Sequence, residues 1–177
     1  MADWFILYTR TGAEERVLET LKRYVDSDIY TPFIPYKELP HIEKGKITKE
    51  KKICFPGYVF VSSLNGVEDF LQNIVPYVYR IKEAYYFLYY GSDKKDIALR
   101  EYEKVYIEQL LNADFCMESS IGFIEGDRVH VTRGALEGLD SKIKRINTHK
   151  RTAVIEIEVM GSFREVTLML ECMEKVK

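Results

Sequence analysis

Phe55-Pro56-Gly57-Tyr58-Val59-Phe60-Val61 is a Pro-Gly turn that delivers an aromatic, β-branched strand. Alternation along a strand puts Tyr58 and Phe60 on one face and Val59 and Val61 on the other. One face can build a core while the other offers rings to a partner, or both faces are simply buried. The segments on either side decide between these readings.

Upstream, Trp4-Phe5-Ile6-Leu7-Tyr8 suits a buried strand, and Thr9-Arg10-Thr11-Gly12 breaks it. Thr11 and Glu14 have the spacing of a capping box, and Val17, Leu18, Leu21 and Val25 form one helical stripe. Arg16 and Arg23 lie off that stripe, where they are solvated or touch a phosphate. Ile29 to Pro35 predicts a second strand, placed at an edge by Pro32 and Pro35. Five lysines, at 44, 46, 49, 51 and 52, then surround Gly45 against the single Glu50. That stretch is either a hairpin arm whose tip meets nucleic acid or a solvated loop.

Downstream, Asn65 is placed to cap a helix with Val67, Phe70, Leu71 and Ile74 on one face, ended by Pro76. Tyr77 to Ile81 and Tyr85 to Tyr90 predict a last strand region, tyrosine-rich enough for an edge or an exposed face. Asp93 to Leu111 predicts a longer helix with Leu99, Tyr102, Tyr106 and Leu110 on one face. Strands and helices thus alternate through residues 1–111, an α/β sandwich of sheet and helices. Residues 112–121 lose the pattern and form a linker. Over residues 122–177, Arg128 to Thr132, Ala153 to Val159 and Val166 to Leu170 alternate as short strands between glycine turns, which suggests a small all-β barrel.

Composition sets bounds. The chain has 177 residues, 46% hydrophobic and 31% charged, enough for one medium or two small globular domains. A formal net charge of -2 makes local clusters, not the total, the guide to partners. Cys54, Cys116 and Cys172 are far apart, and His41, His130 and His149 are isolated. No disulfide framework, metal site, cofactor or catalytic constellation is expected. With no signal peptide or membrane-spanning run, a cytoplasmic protein with reduced thiols is expected.

In order and spacing these segments resemble the NusG family of transcription elongation factors. Trp4 to Tyr8, the Gly-Ala-Glu-Glu helix start, Phe33-Ile34-Pro35, the basic Gly45 arm and Phe55 to Val61 are similar to its N-terminal (NGN) domain, whose mainly antiparallel sheet is flanked by helices. Val75-Pro76-Tyr77-Val78 resembles a Val-Pro-Gly-Val element with Tyr77 in place of glycine. Gly126 to Val131 and Gly134-Ala135-Leu136-Glu137-Gly138 resemble the start of its SH3-like KOW barrel. The resemblance implies a hydrophobic depression for the clamp helices of the RNA polymerase largest subunit, at Tyr8, Phe55, Tyr58 and Phe60. It also implies a positive surface beside the non-template DNA strand, corresponding to Arg10, Arg16 and Arg23.

Two departures from the family pattern carry information. Ser141 stands where a KOW glycine is expected, and residues 142–151 hold five Lys or Arg and no acidic residue. Lys142, Lys144, Arg145, His149, Lys150 and Arg151 suit the phosphates and base edges of a folded RNA, or form a solvated hairpin. Because Ile143 and Arg145 share strand parity, a twist or bulge is expected there. Val159-Met160-Gly161 replaces the Ile-Phe-Gly that the family uses to couple to Rho or a ribosomal protein. These departures resemble the LoaP kind of specialised paralogue: a monomeric, non-enzymatic antiterminator that recognises a leader RNA hairpin. A general elongation or termination factor coupled to Rho or the ribosome, and a stand-alone RNA-binding module, are the alternatives.

Overall fold

The computed structural model describes residues 1–174. In chain order it runs β1 (Asp3–Thr9), α1 (Glu14–Tyr24), β2 (Tyr30–Phe33), β3 (Tyr36–Glu43), β4 (Lys46–Ile53), β5 (Tyr58–Ser63), α2 (Val67–Asn73), α3 (Val75–Val78) and β6 (Ala84–Phe87). There follow α4 (Glu101–Leu110), β7 (Cys116–Met117), β8 (Ser120–Glu125), β9 (Arg128–Arg133), a 3-10 turn (Asp140–Lys142), β10 (Ile143–Asn147), β11 (Thr152–Val159) and β12 (Ser162–Glu174). Two compact units result. One holds residues 1–35, 55–104 and 159–161, and the other holds 36–54, 105–158 and 162 onward.

The first unit is built on a four-stranded antiparallel sheet ordered β2-β5-β1-β6. Its two central strands, β1 and β5, pair from Asp3↔Ser63 to Tyr8↔Tyr58. Buried Phe5, Leu7, Val59 and Val61 share one face by alternation. Phe5 stacks on Phe70 of α2 with ring centroids 3.8 Å apart, and Phe87 meets Phe70 edge-on at 5.0 Å. α1 buries Val17, Leu18 and Leu21 of the expected stripe, but it ends before Val25, which is its extended C-cap residue.

Several local expectations are corrected. α1 has no side-chain cap at Ala13, and Thr11 does not cap it. α2 begins after Gly66, while Asn65 is engaged with Ser63. Tyr77 and Val78 close the short helix α3 and Tyr79 to Ile81 form a turn, so this stretch is not a strand. Pro76 lies in the first turn of α3, where its missing amide costs nothing, and the amides of Tyr77, Arg80 and Ile81 each bond three residues back. The long helix predicted from Asp93 starts only at Glu101. Before it, Ala98 bridges to Phe5 and the Leu99 amide donates to the Trp4 carbonyl at 2.8 Å, so sheet bonding keeps Ala98 and Leu99 out of the helix. Glu103 then accepts the Arg100 amide at 3.1 Å and closes the first turn of α4.

The second unit contains a three-stranded sheet, β4-β3-β7, and a curled five-stranded sheet, β10-β11-β12-β8-β9. β3 and β4 form the basic hairpin, turned at Lys44 and Gly45 with φ of 50° and 77°, a left-handed pair suited to a two-residue loop. β7, within the stretch expected to be a linker, pairs in parallel with Tyr36 and Lys37. In β11 burial alternates strictly, with Ala153, Ile155, Ile157 and Val159 inward. Leu136, Leu168 and Leu170 are also fully buried. The expected irregularity in β10 is present, since its register against β11 shifts between Ile143 and Arg145.

Candidate functional site

The Pro-Gly turn is fixed by a residue far away in sequence. Gly57 has φ of 85°, a conformation that favours glycine, and its amide donates to Glu14 Oε1 at 2.7 Å. The other oxygen of the same buried carboxylate accepts the Gly12 amide at 2.8 Å. The Thr9 amide closes the loop by donating to the Gly57 carbonyl at 2.7 Å. One carboxylate thus joins the end of β1, the start of α1 and the start of β5.

Tyr8, Tyr58 and Phe60 share a sheet face, as β1–β5 pairing requires. Phe60 is fully buried among Phe33, Phe55 and Trp4, with centroids 5.4, 5.8 and 6.2 Å away. Phe55 and Tyr58 are buried too, and only Tyr8 of the four is half-buried. The accessible rings are ones that sequence reasoning did not single out. Tyr86 opposes Tyr8 and Ala84 opposes Thr9, which makes Tyr85 the extra residue of a bulge. Both rings therefore flank Tyr8, at 5.2 Å for Tyr85 and 5.6 Å for Tyr86, with exposures of 45% and 48%. The tyrosine-rich edge was the available signal; the bulge was not.

Arg10 and Arg16 are brought together by Glu83, whose Oε1 lies 3.7 and 2.9 Å from their guanidinium groups. Arg23 is exposed in the last turn of α1 and belongs to no such pair among the described residues. In the β3–β4 hairpin, Lys49 pairs with Glu38 and Lys52 with Glu50, and Lys51 lies over the Tyr36 ring. Ile42 and Ile47 are exposed opposite one another near the turn.

The basic run of residues 142–151 is partly neutralised by strands that lie beside it. The register shift leaves both Lys144 and Arg145 exposed. Lys144 meets Glu156 at 2.5 Å, and Arg145 makes a bidentate pair with Glu165 at 2.6 and 2.8 Å. That fork holds the Glu165 carboxyl below its ordinary range, chiefly by hydrogen bonding, and raises the Arg145 guanidinium. Arg151 lies 3.9 Å from Glu171, and Lys142 sits over the Tyr106 ring. His149 and Lys150 are exposed in the turn. Such a surface can exchange internal carboxylates for phosphates.

No group of three or more His, Cys, Asp or Glu among the described residues could hold a metal ion. No described helix is long and apolar enough to cross a membrane.

The family model for the transcription termination factor NusG matches residues 2–108. The chain is 21% identical to a transcription termination/antitermination protein NusG of Helicobacter pylori, over 99% of both chains. It is 24% identical to the Thermus thermophilus protein of that name, over 99% of this chain and 98% of the other. With the Bacillus subtilis protein, identity is 27% over 88% of this chain and 94% of the other. The chain belongs to the NusG family, whose members are transcription factors that bind RNA polymerase rather than enzymes.

Proposed function

We propose that the protein is an RNA-addressed antiterminator. Residues 1–111 act as an NGN domain that holds the polymerase clamp helices, and residues 112–121 act as a linker. Residues 122–177 act as a KOW barrel that reads a hairpin in the leader transcript. A monomer in the cytoplasm suffices for this role, since the polymerase and the RNA are joined through one chain. The observation that carries the reading is the bulge in β10, which turns Lys144 and Arg145 outward within a run that has no acidic residue of its own. At the polymerase contact, the aromatic face offers Tyr8, with Tyr85 and Tyr86 beside it and Phe55, Tyr58 and Phe60 beneath as the packed support. Arg10 and Arg16, gathered at Glu83, would lie beside the non-template strand, with Arg23 two turns along α1.

The mechanism makes no bonds. RNA held at Lys142, Lys144, Arg145, His149, Lys150 and Arg151 raises the local concentration of the NGN domain at one polymerase, because the linker turns the second contact into an intramolecular one. A general termination/antitermination role is the second reading. It is favoured by the ion pairs to Glu156, Glu165 and Glu171, which lower the field that an RNA would feel. Selection of RNA from a random pool on the whole chain, over a salt series, separates the two. The antiterminator reading requires a selected hairpin whose binding weakens, and whose salt slope flattens, in the variant Lys142→Ala, Lys144→Ala, Arg145→Ala. No selected RNA leaves the general factor.

A further inference from the structure

The five-stranded sheet ends with β10 on one side and β9 on the other. Between these two end strands lies a cleft of about 550 Å3 whose lining includes Arg128, His130, Lys144 and Arg145. Its size accommodates a short length of extended strand. We propose that this cleft seats an unpaired segment of the bound RNA, with Arg128 on a phosphate and His130 beneath a base. The inference rests on the RNA reading above and adds two contacts that the basic run does not contain.

Three observations converge on it. First, the cations come from both walls: Arg128 and His130 from β9, Lys144 and Arg145 from β10. A strand lying between them has its backbone charge met on both sides, which a hairpin tip alone does not provide. Second, alternation sends Arg128 and His130 to the same face of β9, while buried Val131 faces the other way. Third, His130 stacks on Phe123 with centroids 5.1 Å apart and planes within 28°. Ring pairs of this kind give a flat, rigid platform for a base.

Two carboxylates, Asp127 and Asp140, lie on the cleft lining, and Glu125 and Glu165 stand near its cations. Asp140 accepts the Val131 amide at 3.1 Å, and Glu165 is bound to Arg145. Glu125 lies 4.0 Å from His130, and Asp127 stands on the lining beside Arg128. The RNA must therefore displace Glu165 from the Arg145 fork, whereas Arg128 makes no ion pair within 4.0 Å among the described residues and is ready for a phosphate.

The test uses the whole chain and the RNA selected on it, with binding read by fluorescence anisotropy from about 50 to 300 mM salt. Arg128→Gln is exposed and should leave thermal unfolding unchanged while weakening binding roughly tenfold and lowering the salt slope by about one. His130→Ala should weaken binding with little change in slope, and His130→Phe should restore most of it through stacking. If the Lys142, Lys144, Arg145 triple variant loses the RNA while Arg128→Gln and His130→Ala bind like the wild type, the cleft is overturned and the RNA reading stands. If the wild type selects no RNA, both fall.

Discussion

Glu14 and Gly57, 43 residues apart, meet at 2.7 Å through a side-chain carboxylate and a backbone amide. Because Glu14 is 2% exposed and also holds the Gly12 amide, removing it strands the buried Gly57 amide and releases the Gly12 amide at the surface. Glu14→Ala should therefore destabilise the first unit by about 2–3 kcal/mol, and Glu14→Gln, which keeps one acceptor oxygen, by less. Urea unfolding measures both. An unchanged midpoint in Glu14→Ala would show that the turn stands without this carboxylate.

Gly134 offers a sharper backbone test. Its φ is 102°, and an added Cβ would lie 2.3 Å from the Ser119 carbonyl oxygen and 2.5 Å from Ser120 Cα. The segment crosses tightly over the start of β8, where Ser120 Oγ accepts the Leu136 amide at 3.0 Å. Gly134→Ala should cost about 3 kcal/mol or more. Gly138→Ala, at φ of 74° with nothing within 4 Å, should cost only about 1 kcal/mol. Equal losses in the two variants would contradict this crossing.

Tyr30 and Asp69 predict an alkaline limb of stability. Burial first, then the hydrogen bond to Asp69, push the Tyr30 hydroxyl from 10.0 up to about 12. The folded state thus keeps this proton more tightly than the unfolded chain. The contribution is intact below about pH 10 and is lost as pH rises from there to about 12. The stability difference between wild type and Tyr30→Phe should be constant from pH 7 to 10 and shrink above it. On the acid side, the Tyr30 hydroxyl holds Asp69 below its ordinary range, so that contribution is present above ordinary carboxylate pH and disappears as acid protonates Asp69.

The carboxylates beside the basic run should act as competitors of RNA. Glu156→Gln and Glu165→Gln release Lys144 and Arg145 from their partners at 2.5 and 2.6 Å. Affinity for the selected RNA should rise roughly three- to tenfold, with a steeper salt slope. Loss of affinity would mean that the ion pairs organise the RNA surface instead of masking it.

Legibility in the sequence followed the range of the interactions. The alternation of β11 and the helical stripe Val17, Leu18, Leu21 are local periodicities, and the fold keeps them. The shared parity of Ile143 and Arg145 announced the bulge in β10. Glu14 was misleading for the opposite reason. Its spacing from Thr11 suggests a local cap, yet its carboxylate spans the turn to Gly57. The late start of α4 depends on Leu99 bonding to Trp4, and nothing in residues 93–100 signals that bond. At the candidate sites the order of fragments was legible, but the bulge that brings Tyr85 to Tyr8 was not. Neither was the Arg145–Glu165 pair across 20 residues.

The most direct test is single-round transcription by purified RNA polymerase through an intrinsic terminator, on templates that do or do not encode the selected RNA hairpin upstream. The account predicts that the protein raises read-through several-fold only when the hairpin is transcribed in cis, and that the Lys142→Ala, Lys144→Ala, Arg145→Ala variant abolishes the gain. Equal read-through on both templates, or a gain that survives the triple variant, would contradict an RNA-addressed antiterminator.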